Sequence, residues 1–152
     1  MYSSVFISYG GPDESFARRI NAALIAVGVK TWFFKHDALP GQKLHEVMRR
    51  GVQEHDRVLL ICSKNSLARP GVTNEIEKVL EREAREGGSA ILIPITIDDY
   101  LFNGWWPTDV REATLKQEIT NRVVADYRNA EASPIEFENA MARVVNSVLI
   151  RP

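Results

Sequence analysis

The sequence predicts an α/β domain of flavodoxin-like architecture, a five-stranded parallel sheet in the order 2-1-3-4-5 with helices on both faces. Three observations predict it. Short β-prone apolar runs alternate with stretches of helical periodicity along the chain, which is the pattern of strands joined by right-handed helical crossovers. One run, Arg57 to Cys62, is continuously apolar, as a central strand covered on both faces must be. The length of 152 residues suits one core, since domains usually take about 100–200 residues. Residues 1–152 are therefore expected to form a single domain, a unit that a longer multidomain protein could carry.

Each element has its own warrant. Val5-Phe6-Ile7-Ser8-Tyr9 is apolar and β-prone, and Gly10-Gly11-Pro12 turns it into a loop. Phe16, Ile20, Leu24 and Val27 then recur at helical spacing, with Asp13 placed to cap the start and Gly28 to stop the element. Val29 to Phe34 reads as a second strand, closed by a loop from Lys35 to Gly41. Leu44, Val47, Met48 and Val52 form the buried stripe of the next helix. Beyond the central strand, a loop from Ser63 to Val72 leads into a helix from about Thr73 that buries Ile76, Val79, Leu80 and Ala84 and stops at Gly87-Gly88. Ala90 to Ile97 is the fourth strand. Asp98 to Asn121 reads as irregular with one short helix. Arg122 to Tyr127 is the fifth strand, and Phe137, Met141, Val144, Val145, Val148 and Leu149 line the last helix.

Composition removes several function classes. A chain with 45% hydrophobic and 26% charged residues is globular rather than disordered. Nineteen Lys+Arg against 20 Asp+Glu leave a net charge of -1, with no electrostatic footprint for nucleic acid or an anionic membrane. The longest apolar runs are strand-length, short of the ~20 residues a membrane crossing needs. The first twenty residues, with Asp13, Glu14, Arg18 and Arg19, lack the basic-then-apolar layout of a signal peptide, and no internal repeat or low-complexity stretch is visible. One cysteine, Cys62, permits no disulfide framework, and a reducing cytoplasmic setting is expected.

The strand order has a functional consequence. Ligands of open α/β sheets bind beyond the carboxyl ends of the strands where the winding reverses, here between strands 1 and 3. The loops Ser8 to Asp13 and Ser63 to Glu75 meet there, with Lys35 to Gly41 beside them. Glu75 falls in the first turn of a helix facing that crevice. An acid in a first helical turn gains ~0.3–1 kcal/mol from the helix dipole whether or not it has another task. No Ser-elbow, P-loop or dinucleotide fingerprint is present. The scattered His36, His45 and His55 lack ligand spacing, so no metal site is expected. A phosphoacceptor receiver is disfavoured because Ser8-Tyr9 and Ser63 occupy the positions where it needs acids.

The blocks Phe6-Ile-Ser-Tyr9, Ala38-Leu-Pro-Gly41 after a Trp-bearing strand, Ser63-Lys-Asn-Ser66, Val72-Thr-Asn-Glu75-Ile and Ala125-Asp-Tyr-Arg128 resemble, in order and spacing, the signature blocks of Toll/interleukin-1 receptor (TIR) domains. The start on Phe-Ile-Ser-Tyr is similar to bacterial members. The resemblance covers essentially the whole chain. It implies the same flavodoxin-like fold and cleavage of NAD at the bond between nicotinamide and ribose, with NAD as substrate and no cofactor. The family's catalytic glutamate maps onto Glu75.

A lone carboxylate suits that reaction. Glycoside hydrolysis normally takes two acids, one of which protonates the leaving oxygen. Nicotinamide leaves NAD as a neutral molecule, so one carboxylate suffices to stabilise the oxocarbenium ion or to orient the ribose hydroxyls and water. The helix N-terminus is expected to keep Glu75 ionised. The expected substrate-binding set is Tyr9, Gly10, Gly11, Trp32, Phe34, Asp37, Ser66 and Arg69. In it the glycines admit close backbone approach, Trp32 and Phe34 wall the nicotinamide side, and Arg69 meets a phosphate. Asp37 stands in for the acid that many relatives carry where this chain has Phe34, and Gly71 replaces their usual Trp.

The resemblance also implies homotypic self-association through the loop at Leu39, Pro40 and Gly41, and a role in bacterial defence, signalling or virulence. A scaffold without catalysis is the alternative function. A nucleoside hydrolase or deoxyribosyltransferase, which shares the sheet and the single carboxylate, is a third. Trp105-Trp106-Pro107 reads either as a contact patch or as a plug over the sheet edge.

Overall fold

The computed structural model describes residues 4–130 and 133–149, so the expected domain limits, 1 and 152, lie outside the described residues. The strands are β1 (Ser4–Ser8), β2 (Lys30–Trp32), β3 (Arg57–Ile61), β4 (Leu92–Thr96) and β5 (Ala125–Asp126). They form one parallel sheet in the order β2-β1-β3-β4-β5, as the alternating pattern predicts.

The helices are α1 (Glu14–Ala26), α2 (Phe34–Asp37), α3 (Leu44–Glu54), α4 (Lys64–Leu67), α5 (Val72–Arg85), α6 (Tyr100–Asn103), α7 (Val110–Thr120) and α8 (Pro134–Leu149). The period-2 alternation of the strands divides the core into two layers. Val5, Ile7, Leu59, Ile61 and Ile95 point to one face, where Ile20 and Leu24 of α1 and Met141, Val144 and Val148 of α8 cover them. Phe6, Val58, Leu60 and Cys62 point to the other, under Val52 of α3, Ile76 and Val79 of α5, Leu101 of α6, and Leu115 and Ile119 of α7.

Several elements differ from expectation, each for a local reason. Strand β2 stops at Trp32, because the Asp37 carboxylate accepts the Phe33 N–H at 2.7 Å and winds 34–37 into a helical turn. Asp13 stands at the start of α1 but makes no capping bond there. The loop after β3 contains the turn α4, and α5 begins at Val72. Within α5, Ala84 is exposed and Glu83 is buried in its place.

The segment from Asp98 to Asn121 holds α6 and the full eleven-residue α7, capped by Asp109 accepting the Glu112 N–H. Only Leu115 and Ile119 of α7 are buried, so it lacks the repeating apolar stripe that announces a helix. Strand β5 is two residues long, since Arg122 is drawn into an ion pair with Glu83. Leu149 is exposed at the end of α8. Trp105 is a buried plug in the second core layer, whereas Trp106 is 72% exposed.

Candidate active site

Ser8 ends β1 directly beside Leu60 of β3, at the reversal point of the sheet. From there the chain makes a tight 3-10 turn over Gly11–Asp13. This turn is fastened to α4. Ser63, buried at the α4 N-cap, accepts the Ser66 N–H at 3.0 Å and donates to the Asp13 carboxylate, whose other oxygen accepts the Asn65 amide at 3.2 Å. The backbones touch so closely that a Cβ on Gly10 would lie 2.7 Å from the Asn65 carbonyl oxygen. Gly10 is thus required by packing of the two loops, while Gly11 beside it is exposed with open space above it. Asp13 is buried as this fastener, which is why it leaves α1 uncapped.

The fastened loops bring Ser8, Ser66, Arg69 and Glu75 together. Glu75 lies in the first turn of α5, and its side chain is 13% exposed. Its Oε1 accepts the Ser8 hydroxyl at 2.9 Å and its Oε2 accepts Arg69 Nη1 at 3.2 Å. Arg69 also donates from Nη2 to Ser8 Oγ at 2.9 Å and from Nε to the Ser66 carbonyl at 2.9 Å. Ser66 Oγ is 3.4 Å from the same Nη2. Burial pushes the Glu75 carboxyl above the ordinary glutamate range, and the Arg69 charge and the Ser8 and Arg69 hydrogen bonds take back part of that rise. The helix-terminus preference for the charged form expected from the sequence is thus opposed here by burial, the largest influence on this carboxyl.

The turn that carries Arg69 has Gly71 at φ +81°, a left-handed conformation that glycine adopts without strain. That glycine returns the backbone into α5.

Sequence reasoning missed Ser8 as a partner of Glu75. Its one signal is a small hydroxyl residue closing an otherwise apolar strand at the reversal point.

The remaining expected substrate-binding side chains make other contacts. Tyr9 stacks on Phe33 with ring centroids 5.3 Å apart and packs against the first core layer. Trp32 packs on Phe6 at 5.3 Å, so its ring supports the second layer. Phe34, 40% exposed, meets Trp32 edge-on at 6.2 Å. Asp37 is occupied in holding its own helical turn. Leu39, Pro40 and Gly41 are exposed on the neighbouring loop.

A groove of about 490 Å³ runs along α3, lined by Trp32, Lys43, Glu46, Arg50 and His55 among others. A second of about 550 Å³ lies beside Arg57, Glu83 and Arg122. Glu75 lines neither of these two grooves; its carboxylate is paired with Arg69 at 3.2 Å. Among the described residues, no group of three or more His, Cys, Asp or Glu could hold a metal ion, and no helix is long and apolar enough to cross a membrane.

Comparison with known proteins adds the family. The TIR domains of the activated Roq1 resistosome that directly recognizes the pathogen effector XopQ superpose with a TM-score of 0.72 at 18% identity, covering 97% of this chain and 99% of that chain. A metazoan TIR-STING receptor from C. gigas in complex with 2',3'-cGAMP has a TM-score of 0.54 at 24% identity, covering 70% of this chain and 32% of that chain. The TIR domain of the Toll-related receptor TRR-2 from Hydra magnipapillata has a TM-score of 0.57 at 17% identity, covering 93% of this chain and 97% of that chain. No curated protein matches in sequence. These likenesses establish the shared fold. The TIR domain family model matches residues 5–142, from β1 into α8, and the chain belongs to the TIR domain family.

Proposed function

We propose that this TIR domain hydrolyses NAD at the nicotinamide–ribose bond, with Glu75 as the catalytic carboxylate and self-association as the switch. One observation carries the reading: Glu75 stands at the reversal point of the sheet, held by Ser8 and Arg69 among side chains from three separate segments. In the reaction the C1′–N bond breaks and its electron pair stays with the nicotinamide nitrogen, neutralising the pyridinium. Ionised Glu75 stabilises the oxocarbenium ion or aligns the water that adds to C1′ and loses a proton. NAD is then the substrate, and no separate cofactor takes part.

The test is nicotinamide release from NAD, with inosine and deoxyadenosine as competing substrates. Release that vanishes in a folded Glu75→Ala variant supports the reading. Cleavage of the nucleosides with NAD untouched replaces it by nucleoside hydrolase or deoxyribosyltransferase chemistry.

A second reading, assembly without catalysis, is favoured by Leu39 at 65% exposure and Leu44 at 59%, flanking Pro40-Gly41. In a single copy these apolar side chains face water, and a second TIR domain is the proposed partner. Silence toward NAD in assembled protein would select the scaffold. A bacterial origin, a defence or virulence role and a cytoplasmic setting belong to the same proposal, supported by the TIR resemblance and by the single, buried, unpaired Cys62.

A further inference from the structure

We infer that Arg69 is a specificity-determining residue that exchanges partners: it holds Glu75 in the state described here and passes to a phosphate of the dinucleotide substrate, so that the substrate itself releases the carboxylate. The inference rests on the hydrolase reading for the identity of the substrate and on the geometry for the exchange.

Both carboxylate oxygens of Glu75 are engaged, one by Ser8 and the other by Arg69, and the guanidinium also grips Ser8 Oγ and the Ser66 carbonyl. A carboxylate covered this way has little surface left for ribose hydroxyls or water, and only 13% of the Glu75 side chain is exposed. Ser8 is built into a buried strand and cannot withdraw. Arg69 can. It sits on a short turn between α4 and α5 whose next two residues, Pro70 and Gly71, are exposed, and no neighbour lies within 4 Å of where a Gly71 Cβ would stand. A swing of the side chain breaks one ion pair and its hydrogen bonds without disturbing either core layer.

The destination follows from charge. Lys64 and Arg69 are the cationic side chains of the two crevice loops, residues 8–13 and 63–75, and Lys64 points into solvent. A pyrophosphate entering the crevice presents two negative charges to a planar donor suited to bidentate contact with phosphate oxygens. A nucleoside without phosphate offers Arg69 nothing in place of Glu75. The exchange therefore selects a phosphate-bearing substrate and uncovers the carboxylate only when one is bound.

Binding of ADP, read by calorimetry, tests this independently of turnover. ADP carries the pyrophosphate but lacks the ribose that Glu75 would touch. Arg69→Ala is expected to weaken ADP binding about tenfold or more, the loss of a charge-assisted contact. Glu75→Gln, which removes the competing charge, is expected to tighten it severalfold, and the double variant should bind like Arg69→Ala alone. Equal affinity in wild type and Arg69→Ala, or a Glu75→Gln variant that binds no tighter than wild type, would overturn the exchange. Circular dichroism on each variant separates these results from loss of fold. NAD turnover is measured on the same wild-type sample. At concentrations where light scattering shows self-association, the expected binding pattern without turnover removes the hydrolase reading and supports the exchange, whereas turnover without the pattern removes the exchange and leaves the hydrolase.

Discussion

Glu75 is pulled in two directions by its surroundings: burial disfavours its charge, while Arg69 and Ser8 favour it. If nicotinamide release needs the ionised carboxylate, the acid limb of its pH profile will lie above the ordinary glutamate range. Arg69→Ala should move that limb to still higher pH, since the favouring charge is gone. A limb that stays put in the variant would show that another group titrates. Stability follows with a definite sign. A carboxyl whose folded value is raised stabilises the fold fully only below its unfolded value, and that contribution disappears as pH rises through the folded value. Glu75→Gln should therefore raise the melting temperature at about pH 7, and the gain should shrink to nothing at about pH 4.

Glu75 was legible in the sequence, because first-turn placement after the central strand follows from hydrophobic pattern alone. Its partners were not. The Ser8 contact joins residues 67 apart, and the Arg69 contact depends on a turn shaped by the left-handed Gly71.

Helix α5 is tied at its other end by a different pair. Glu83 is buried, its Oε2 accepting the N–H groups of Ile91 and Leu92 at 2.7 and 2.9 Å, while Arg122 grips both carboxylate oxygens. Arg122 also donates to the Leu92 carbonyl at 3.0 Å. The two side chains thus meet both backbone groups of Leu92 where the two-residue β5 does not reach. Burial alone would raise the Glu83 carboxyl, but Arg122 and the two backbone N–H groups outweigh it and hold it below the ordinary range. Glu83→Ala should cost roughly 3 kcal/mol in urea unfolding, from a half-buried cation left alone and the loss of the carboxylate acceptor of the Leu92 N–H, while Ile91 N–H keeps the Ser89 carbonyl at 3.1 Å. Because the folded value is depressed, this stabilisation is present above the unfolded value and is lost as pH falls through the folded one. The pair also explains why the fifth strand is misjudged from sequence: Arg122 to Val124 look extended and apolar, yet Arg122 serves α5. Helix α7 escapes prediction for the opposite reason, since two buried residues over eleven make no visible stripe.

The molecule as a whole is a doubly wound sheet whose strand order could be read from alternation, with loop shapes set by contacts between distant segments. Its exposed Phe34, Leu39 and Leu44 cluster in sequence around one loop beside the candidate site. If assembly switches the enzyme on, nicotinamide release will rise more steeply than linearly with protein concentration. Leu39→Asp should then raise the concentration needed by roughly tenfold, as loss of a central apolar contact does at an interface. A linear dependence, unchanged in that variant, would mean that each copy works alone.

The proposed role of Glu75 in NAD hydrolysis stands or falls on one result. Its most direct test is nicotinamide release by the purified domain, at concentrations where light scattering shows self-association, beside Glu75→Ala with an unchanged circular dichroism spectrum. Release by the wild type and none by the variant is the expected result. Equal release from both, or none from either while assembled, would contradict it.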